Sequence, residues 1–284
     1  MVSGEFYSGY IGDFIIGFNI NIENSKHPDK VEHVIKFFNG FSKIMFRLTK
    51  MVLKLTPYGV FGLIANVSAK YGLDTLLPLG SFIVTVYIAC LVHLLFTYGG
   101  LVFLIGKINP FIFFKRVYPA MVVAFTSRSS YGTLPVTLEV IIQRLKVPEK
   151  IAHFVAPLGA TINMDGCGGL YPAIVAVFVS SIYGIDLSIT QYILIIAIST
   201  IATIGTAGVP GTASVMTTVV LSSVGLPVEG LALVIGVDAI VDMARTTVNV
   251  TGDTVVSLLV AKSEKELDEE TFYNAKDLDL IKDI

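Results

Sequence analysis

Between Asp29 and Leu55 the apolar residues Val34, Phe37, Phe41, Ile44, Leu48 and Met51 recur at three- and four-residue steps, while Lys36, Lys43, Arg47, Lys50 and Lys54 take the opposite face. This spacing predicts an amphipathic helix. Pro57 kinks or restarts it, and the pattern continues to about Ala69. The next tract, from about Leu76 to Ile105, contains "FIVTVYIACLVHLLFTYGGLVFLIG" without one charged residue, and it is long enough to cross a hydrocarbon core of about 30 Å as a helix. The pattern then changes. Pro110 to Phe125 and Leu134 to Leu145 are helical runs of roughly 12 to 16 residues, about 18 to 24 Å at the usual rise, and neither spans alone. They flank "TSRSSYG". The same plan returns at Thr190 to Thr203 and Ala213 to Val224, around "GTAGVPGT". Two short apolar arms about a small polar tip predict a re-entrant hairpin, a shape allowed at membrane depth where the tip is buried in protein or lines a cavity.

Basic residues orient these hairpins. Lys107, Lys115 and Arg116 precede the first, and Arg144, Lys146 and Lys150 follow it, so both of its ends face the cytoplasm. Around the second, Tyr183 to Gln191 and Val224 to Gly230 contain no Lys or Arg, so its ends face outside. The hairpins are expected to enter from opposite sides, an inverted pairing found in secondary transporters with a site at mid-membrane. A broken helix follows the first hairpin: a run from about Ala152 to Ile162, an interruption at "NMDGCGG", and a restart near Leu170 that reaches Tyr183. The helix after the second carries "DAIVDMARTTVNVTGD". At 100° per residue its Asp238, Asp242, Arg245, Asn249 and Asp253 fall within an arc of about 80° on one face.

Composition supports the membrane reading. Of the 284 residues, 54% are hydrophobic and only 15% charged, against about 25% charged in a typical soluble domain. The fold class is therefore all-α and integral to a membrane. Net charge is -2, with no basic array, which removes nucleic acid as a partner. Cys90 and Cys167 lie far apart inside apolar tracts and read as packing residues. The four histidines, His27, His33, His93 and His153, show no metal-ligand spacing. The N-terminus lacks the basic start of a signal peptide.

A charge at the bilayer centre is costly, so a charged stripe persists only against partners or cavity water. An internal ion-pair ladder that locks helices together is the plain alternative to a site. The carboxylates Asp165, Asp238, Asp242 and Asp253 outnumber Arg128 and Arg245, which leaves room for bound cations. Asn163, Asp165, Asn249 and Asp253, with unwound backbone at "NMDG", offer the hard oxygens that suit an alkali cation. Arg245 is a planar fork for a carboxylate. Asp242 suits an ammonium group, and amides at the half-helix N-termini suit a second carboxylate. Together these describe an acidic amino acid.

At these residues the sequence resembles the glutamate transporter homologues, the dicarboxylate/amino acid:cation symporter family. The motifs "SRSSYGTLPVT", "PLGATINMDG", "TIGTAGVPG" and "DAIVDMARTTVNVTGD" carry the resemblance from about Ser42 to Glu270, with weaker agreement from Phe14. It implies a sodium- or proton-coupled symporter of the cell membrane, a homotrimer in which a transport domain (73–261) moves as an elevator against a scaffold (1–72), with a polar cytoplasmic tail (262–284). The substrate residues implied are Arg128, Ser129, Ser130, Cys167, Val209, Gly211, Ala213, Asp242, Arg245, Thr246 and Asn249. Arg245 would hold the side-chain carboxylate, Asp242 the ammonium, and Asn249, Thr246 and the Ser129/Ser130 tip the α-carboxylate end. One sodium site would use Gly159, Asn163, Asn249 and Asp253. A second would use backbone at Thr161, Thr203, Ile204 and Thr206 beside Met164, and a third Asn163 and Asp165. Asp238 would brace Arg128 or its neighbours. No organic cofactor is implied.

This chain departs from the pattern in three places. Cys167 stands where acidic amino acid members carry the threonine of "NMDGT", and one residue is inserted before Tyr171. Ala213 stands where some members have glycine. The first several membrane helices of the pattern find no counterpart in this sequence, which covers roughly its C-terminal two-thirds. Rival readings are neutral amino acid or cystine transport on the same fold, an anion channel through the polar cleft, and an intramembrane aspartyl protease using Asp165 and Asp253, whose contexts "NMDG" and "VTGD" do not match that class.

Overall fold

The computed structural model describes residues 30–34, 36, 37, 40, 44, 47, 51, 58, 76–206, 208, 209 and 211–274, and among these there is helix and no strand. The chain divides into two compact units, Met1–Tyr58 and Gly59–Ile284. In the first, the described residues are helical, and Lys36 pairs with Glu32 one turn earlier at 2.5 Å. Val34, Phe37, Ile44 and Met51 of the expected apolar face are exposed. The expected kink at Pro57 and the continuation to Ala69 lie outside the described residues.

The second unit begins with the long apolar span, α1 (Leu76–Val92) and α2 (Gly99–Leu104), joined by a π-helical turn, His93–Tyr98. The apolar tract predicted one helix from about Leu76 to Ile105, and the run Pro78–Leu104 is helical throughout, with one π-helical turn inside it. Hydropathy does not register a single wider turn, because every residue in it is still helical. Two helices among the described residues are long and apolar enough to cross a membrane: the run Pro78–Leu104, and Glu149–Tyr183.

The first hairpin is α3 (Pro110–Ser127) and α4 (Ser130–Glu139), which runs on through a π-helical turn, Val140–Arg144. Its construction is local. Asn109 accepts a bond from the Phe111 amide at 2.9 Å, with Pro110 in the first helical position. Arg128 then ends α3 in a left-handed conformation, φ 55°. Ser129 opens α4 by accepting from the Gly132 amide at 3.0 Å.

The interrupted helix is α5 (Glu149–Ile162), a break at Asn163 and Met164, a π-helical turn Asp165–Leu170, and α6 (Tyr171–Tyr183). Glycine-rich "DGCGG" stays helical, so the break is shorter than the sequence suggested. Gly166 and Gly168 instead permit close approach. A Cβ on Gly166 would stand 2.4 Å from the Arg245 carbonyl oxygen, and one on Gly168 would stand 2.5 Å from the Thr203 Cα.

The second hairpin is α7 (Ile189–Gly205) and α8 (Thr212–Ser223), with a Ser188/Gln191 capping box at its start. A short α9 (Leu231–Ile235) leads to α10 (Asp238–Ser263), which carries the polar stripe unbroken for 26 residues. After it, α11 (Glu269–Asn274) buries Phe272 beneath the Arg116 guanidinium, 4.8 Å from the ring centre. Asp268 caps α11, and its bonds from Thr271 hold its carboxyl below the ordinary range. α10 packs on α3, α5 and α1, which encloses the polar stripe. The outer faces are apolar: Phe96, Phe103, Leu104, Ile193, Ile196 and Ile201 are all exposed.

Candidate functional site

The two hairpin tips touch. The Tyr131 amide donates to the Gly208 carbonyl at 3.2 Å, and the Ser129 hydroxyl donates to the same oxygen at 3.1 Å. Gly208 is required there, since a Cβ would stand 2.5 Å from the Ala160 carbonyl oxygen. The N-terminus of α4 and the tip that leads into α8 thus open beside the break in α5–α6 and the middle of α10.

A cavity of about 10 Å³, room for about one water, lies where these four elements meet. It is lined by Arg128, Ser130, Met164, Cys167, Gly208, Val209, Asp242, Thr246 and Asn249. Charges of opposite sign, Arg128 and Asp242, face the same space. Asn249 closes one wall: its Oδ1 accepts from the Gly166 amide at 2.8 Å, and its Nδ2 approaches Met164 Sδ and Cys167 Sγ at 3.2 Å each. Cys167 Sγ is also 3.7 Å from an Asp242 oxygen.

Most of the substrate residues expected from sequence therefore meet here, and some do not. Ser129 turns away to cap α4 and clamp Gly208. Gly211 and Ala213 lie beyond the lining. Arg245, fully buried, sits behind Asp242: its Nη2 donates to Asp238 at 2.7 Å and Asp242 at 3.0 Å, and its guanidinium lies 3.8 Å from the centre of the Tyr171 ring. Asp238 thus braces Arg245. Among the described residues, Nε and Nη1 of Arg245 have no hydrogen-bond partner. A buried cation with two open donors is poised for an acceptor.

The expected cation ligands form a second cluster. Asn163 Nδ2 donates to Asp253 Oδ1 at 3.1 Å, and Gly159 lies so close that a Cβ would stand 2.2 Å from that oxygen. Asp253 is 1% exposed, and its carboxylate receives only this side-chain bond among the described residues. Asp165 accepts from Tyr98 Oη at 2.7 Å. Thr203 and Thr206 lie against Gly168, while Thr161 is exposed and bonds Pro157 and Tyr131 through its hydroxyl. The Ile204 side chain is exposed, which leaves only its backbone for the expected role.

Sequence reading missed Gly208, Tyr171, His93 and Tyr98. Tyr171 carries a weak signal, since a tyrosine just after a glycine run at a helix restart is placed against whatever crosses the break. His93 and Tyr98 carried a clearer one: polar groups in a span otherwise free of charge.

Helices apolar without and charged within define an integral membrane protein whose polar centre is internal. The profile of the sodium:dicarboxylate symporter family matches residues 12–263, and the chain belongs to that family. Among curated relatives, the L-cystine uptake protein TcyP of Bacillus thuringiensis (strain Al Hakam) is 37% identical over 277 residues, covering 97% of this chain and 58% of the relative. The proton/sodium-glutamate symport protein of Bacillus caldotenax is 37% identical over 242 residues, covering 85% of this chain and 57% of the relative. That of Geobacillus stearothermophilus is 36% identical over the same length. This chain thus spans less than two-thirds of the length of these relatives. Their names, like the family's, are those of transporters and not of enzymes.

Proposed function

We propose that this chain carries the substrate and cation sites of a sodium-coupled symporter for an amino acid with a second carboxylate: aspartate, glutamate or a related dicarboxylate. The single observation that carries this reading is the convergence of Arg128, Asp242, Thr246 and Asn249 on one cavity beside the sparsely bonded Asp253–Asn163 pair. Asp242 takes the ammonium group. Arg128 and the amides at the start of α4 take one carboxylate, and the open Nε and Nη1 of Arg245 take the other. Sodium neutralises Asp253, with Asn163, Asn249 and the Gly159 carbonyl, and a further ion takes Asp165. The backbone around Thr161, Thr203, Ile204 and Thr206, beside Met164, supplies a remaining site. The hairpins are re-entrant from opposite faces, with residues 73–261 moving as an elevator in a homotrimer of the cell membrane. The tail from residue 262 is cytoplasmic, following the basic residues at the base of the first hairpin.

A specific observation favours a second substrate, cystine. Two sulfurs, Met164 Sδ and Cys167 Sγ, line the cavity, and cystine, a disulfide, has two carboxylates and two ammonium groups, one of which Asp242 would take. The test is a thermal shift of the purified chain in detergent, titrating aspartate, glutamate, succinate and cystine in sodium and again in potassium at equal ionic strength. Sodium-dependent stabilisation of about 2.7 kcal/mol at a hundredfold excess over Kd is expected from the binding linkage. The ligand that acts at the lowest concentration names the substrate. No sodium-dependent shift with any of the four would overturn the proposal that this chain holds the site.

A further inference from the structure

In an α-helix, residues five apart point about 140° away from each other. His93 and Tyr98 are five apart, and yet their rings meet edge to face with centres 4.6 Å apart. The π-helical turn that contains both accounts for this, because its wider i→i+5 repeat returns the sixth residue to the face of the first. Such turns are uncommon and frequently mark functional positions. This one brings a phenol and an imidazole nitrogen to a single atom. Tyr98 Oη donates to Asp165 Oδ2 at 2.7 Å, and His93 Nε2, buried and without a hydrogen bond among the described residues, lies 3.5 Å from the same oxygen.

Room for this contact is provided by α10. Gly252 faces Tyr98, and a Cβ there would stand 2.4 Å from Tyr98 Oη and 2.6 Å from Asn163 Nδ2. Asp165 Oδ1 receives no hydrogen bond among the described residues, and the Asp165 side chain is 32% accessible. One carboxylate oxygen is thus held while the other stays open beside the break in the helix.

We infer that Tyr98, supported by His93, is the positioning residue of the Asp165 carboxylate, turning Oδ1 toward a bound alkali cation. The inference rests on the reading of Asp165 as a cation ligand. A group that orients a metal ligand governs cation affinity without touching the substrate, and loss of such a partner costs about tenfold or more in affinity.

The experiment is a sodium titration of thermal stability, followed by substrate titration at saturating sodium, on the wild-type chain and on Tyr98→Phe, His93→Leu, His93→Gln and Asp165→Asn. Tyr98→Phe is expected to raise the half-saturating sodium concentration about tenfold while substrate affinity at saturating sodium stays within about twofold. His93→Leu should raise it by less, and His93→Gln, which keeps a donor, should restore it. A purely structural role would lower the sodium-free melting temperature and leave the half-saturating concentration unchanged, and that result overturns the inference. Should Tyr98→Phe fail to fold, the His93→Leu and His93→Gln pair decides: equal sodium curves for the two overturn it. Asp165→Asn separates the two levels. If it shifts the sodium curve and Tyr98→Phe does not, the positioning role alone is wrong; if neither shifts it, the cation reading of Asp165 falls as well.

Discussion

The span Leu76–Leu104 and the helix α10 are of similar length and lie against one another, and they distribute polarity in opposite ways. Along the span, Val84, Ile88, Leu91, Leu95, Phe96 and Phe103 are all more than half exposed. Along α10, Asp242, Arg245, Asn249 and Asp253 are each at most 3% exposed, and Ile240 and Val256 are the large apolar residues that reach the surface. In water this would be inside out. In hydrocarbon it is the stable arrangement, because apolar side chains cost nothing at the rim while every polar group needs a partner within.

The comparison also separates two kinds of buried polar residue. The hydroxyls of Thr247, Thr251, Thr254 and Ser257 donate to carbonyls three or four residues earlier in α10 itself. They are satisfied wherever the helix goes. Asp242, Asn249 and Asp253 find partners across the broken helix, at Cys167, at Gly166 and at Asn163, and Arg245 adds the Tyr171 ring to its two intrahelical ion pairs. Only this second kind is able to build a site.

Removing Arg245 should break the contrast most severely. Arg245→Ala leaves Asp238 and Asp242 without their cation, an expected cost of about 3–5 kcal/mol in detergent melting together with loss of substrate binding. Gly252→Ala tests where the two helices meet. Alanine is the better helix former, but its Cβ collides with Tyr98 and Asn163, so about 1–3 kcal/mol is expected to be lost, with weaker sodium binding. Thr254→Val probes the self-satisfied class and should cost about 0.5–1.5 kcal/mol while sodium and substrate titrations remain as in wild type. Phe96→Leu, on the outer face of the span, should move stability by no more than about 0.5 kcal/mol and leave both titrations unchanged. If Thr254→Val impaired binding more than Gly252→Ala, the division of α10 into satisfied and reaching groups would be wrong.

The elements themselves were legible from sequence because their causes are local. Asn109–Pro110, Ser129 and Ser188–Gln191 start helices through contacts within four residues, and hydrophobic runs too short to span announced both hairpins. The stripe on α10 followed from helical periodicity alone, as did its content of oxygen ligands. Tertiary structure decided what those groups face. Arg245 reads as an exposed fork on a cavity wall, yet it sits behind Asp242 because Asp238, one helical turn before Asp242, holds the guanidinium against Tyr171. The tip-to-tip bond joins Ser129 to Gly208, and the Asn163–Asp253 pair joins residues 90 apart. No pattern confined to a window of the chain encodes such distances. His93 and Tyr98 mark the same boundary, since their polarity was visible in an apolar tract, but one extra residue per turn was needed to bring both onto Asp165.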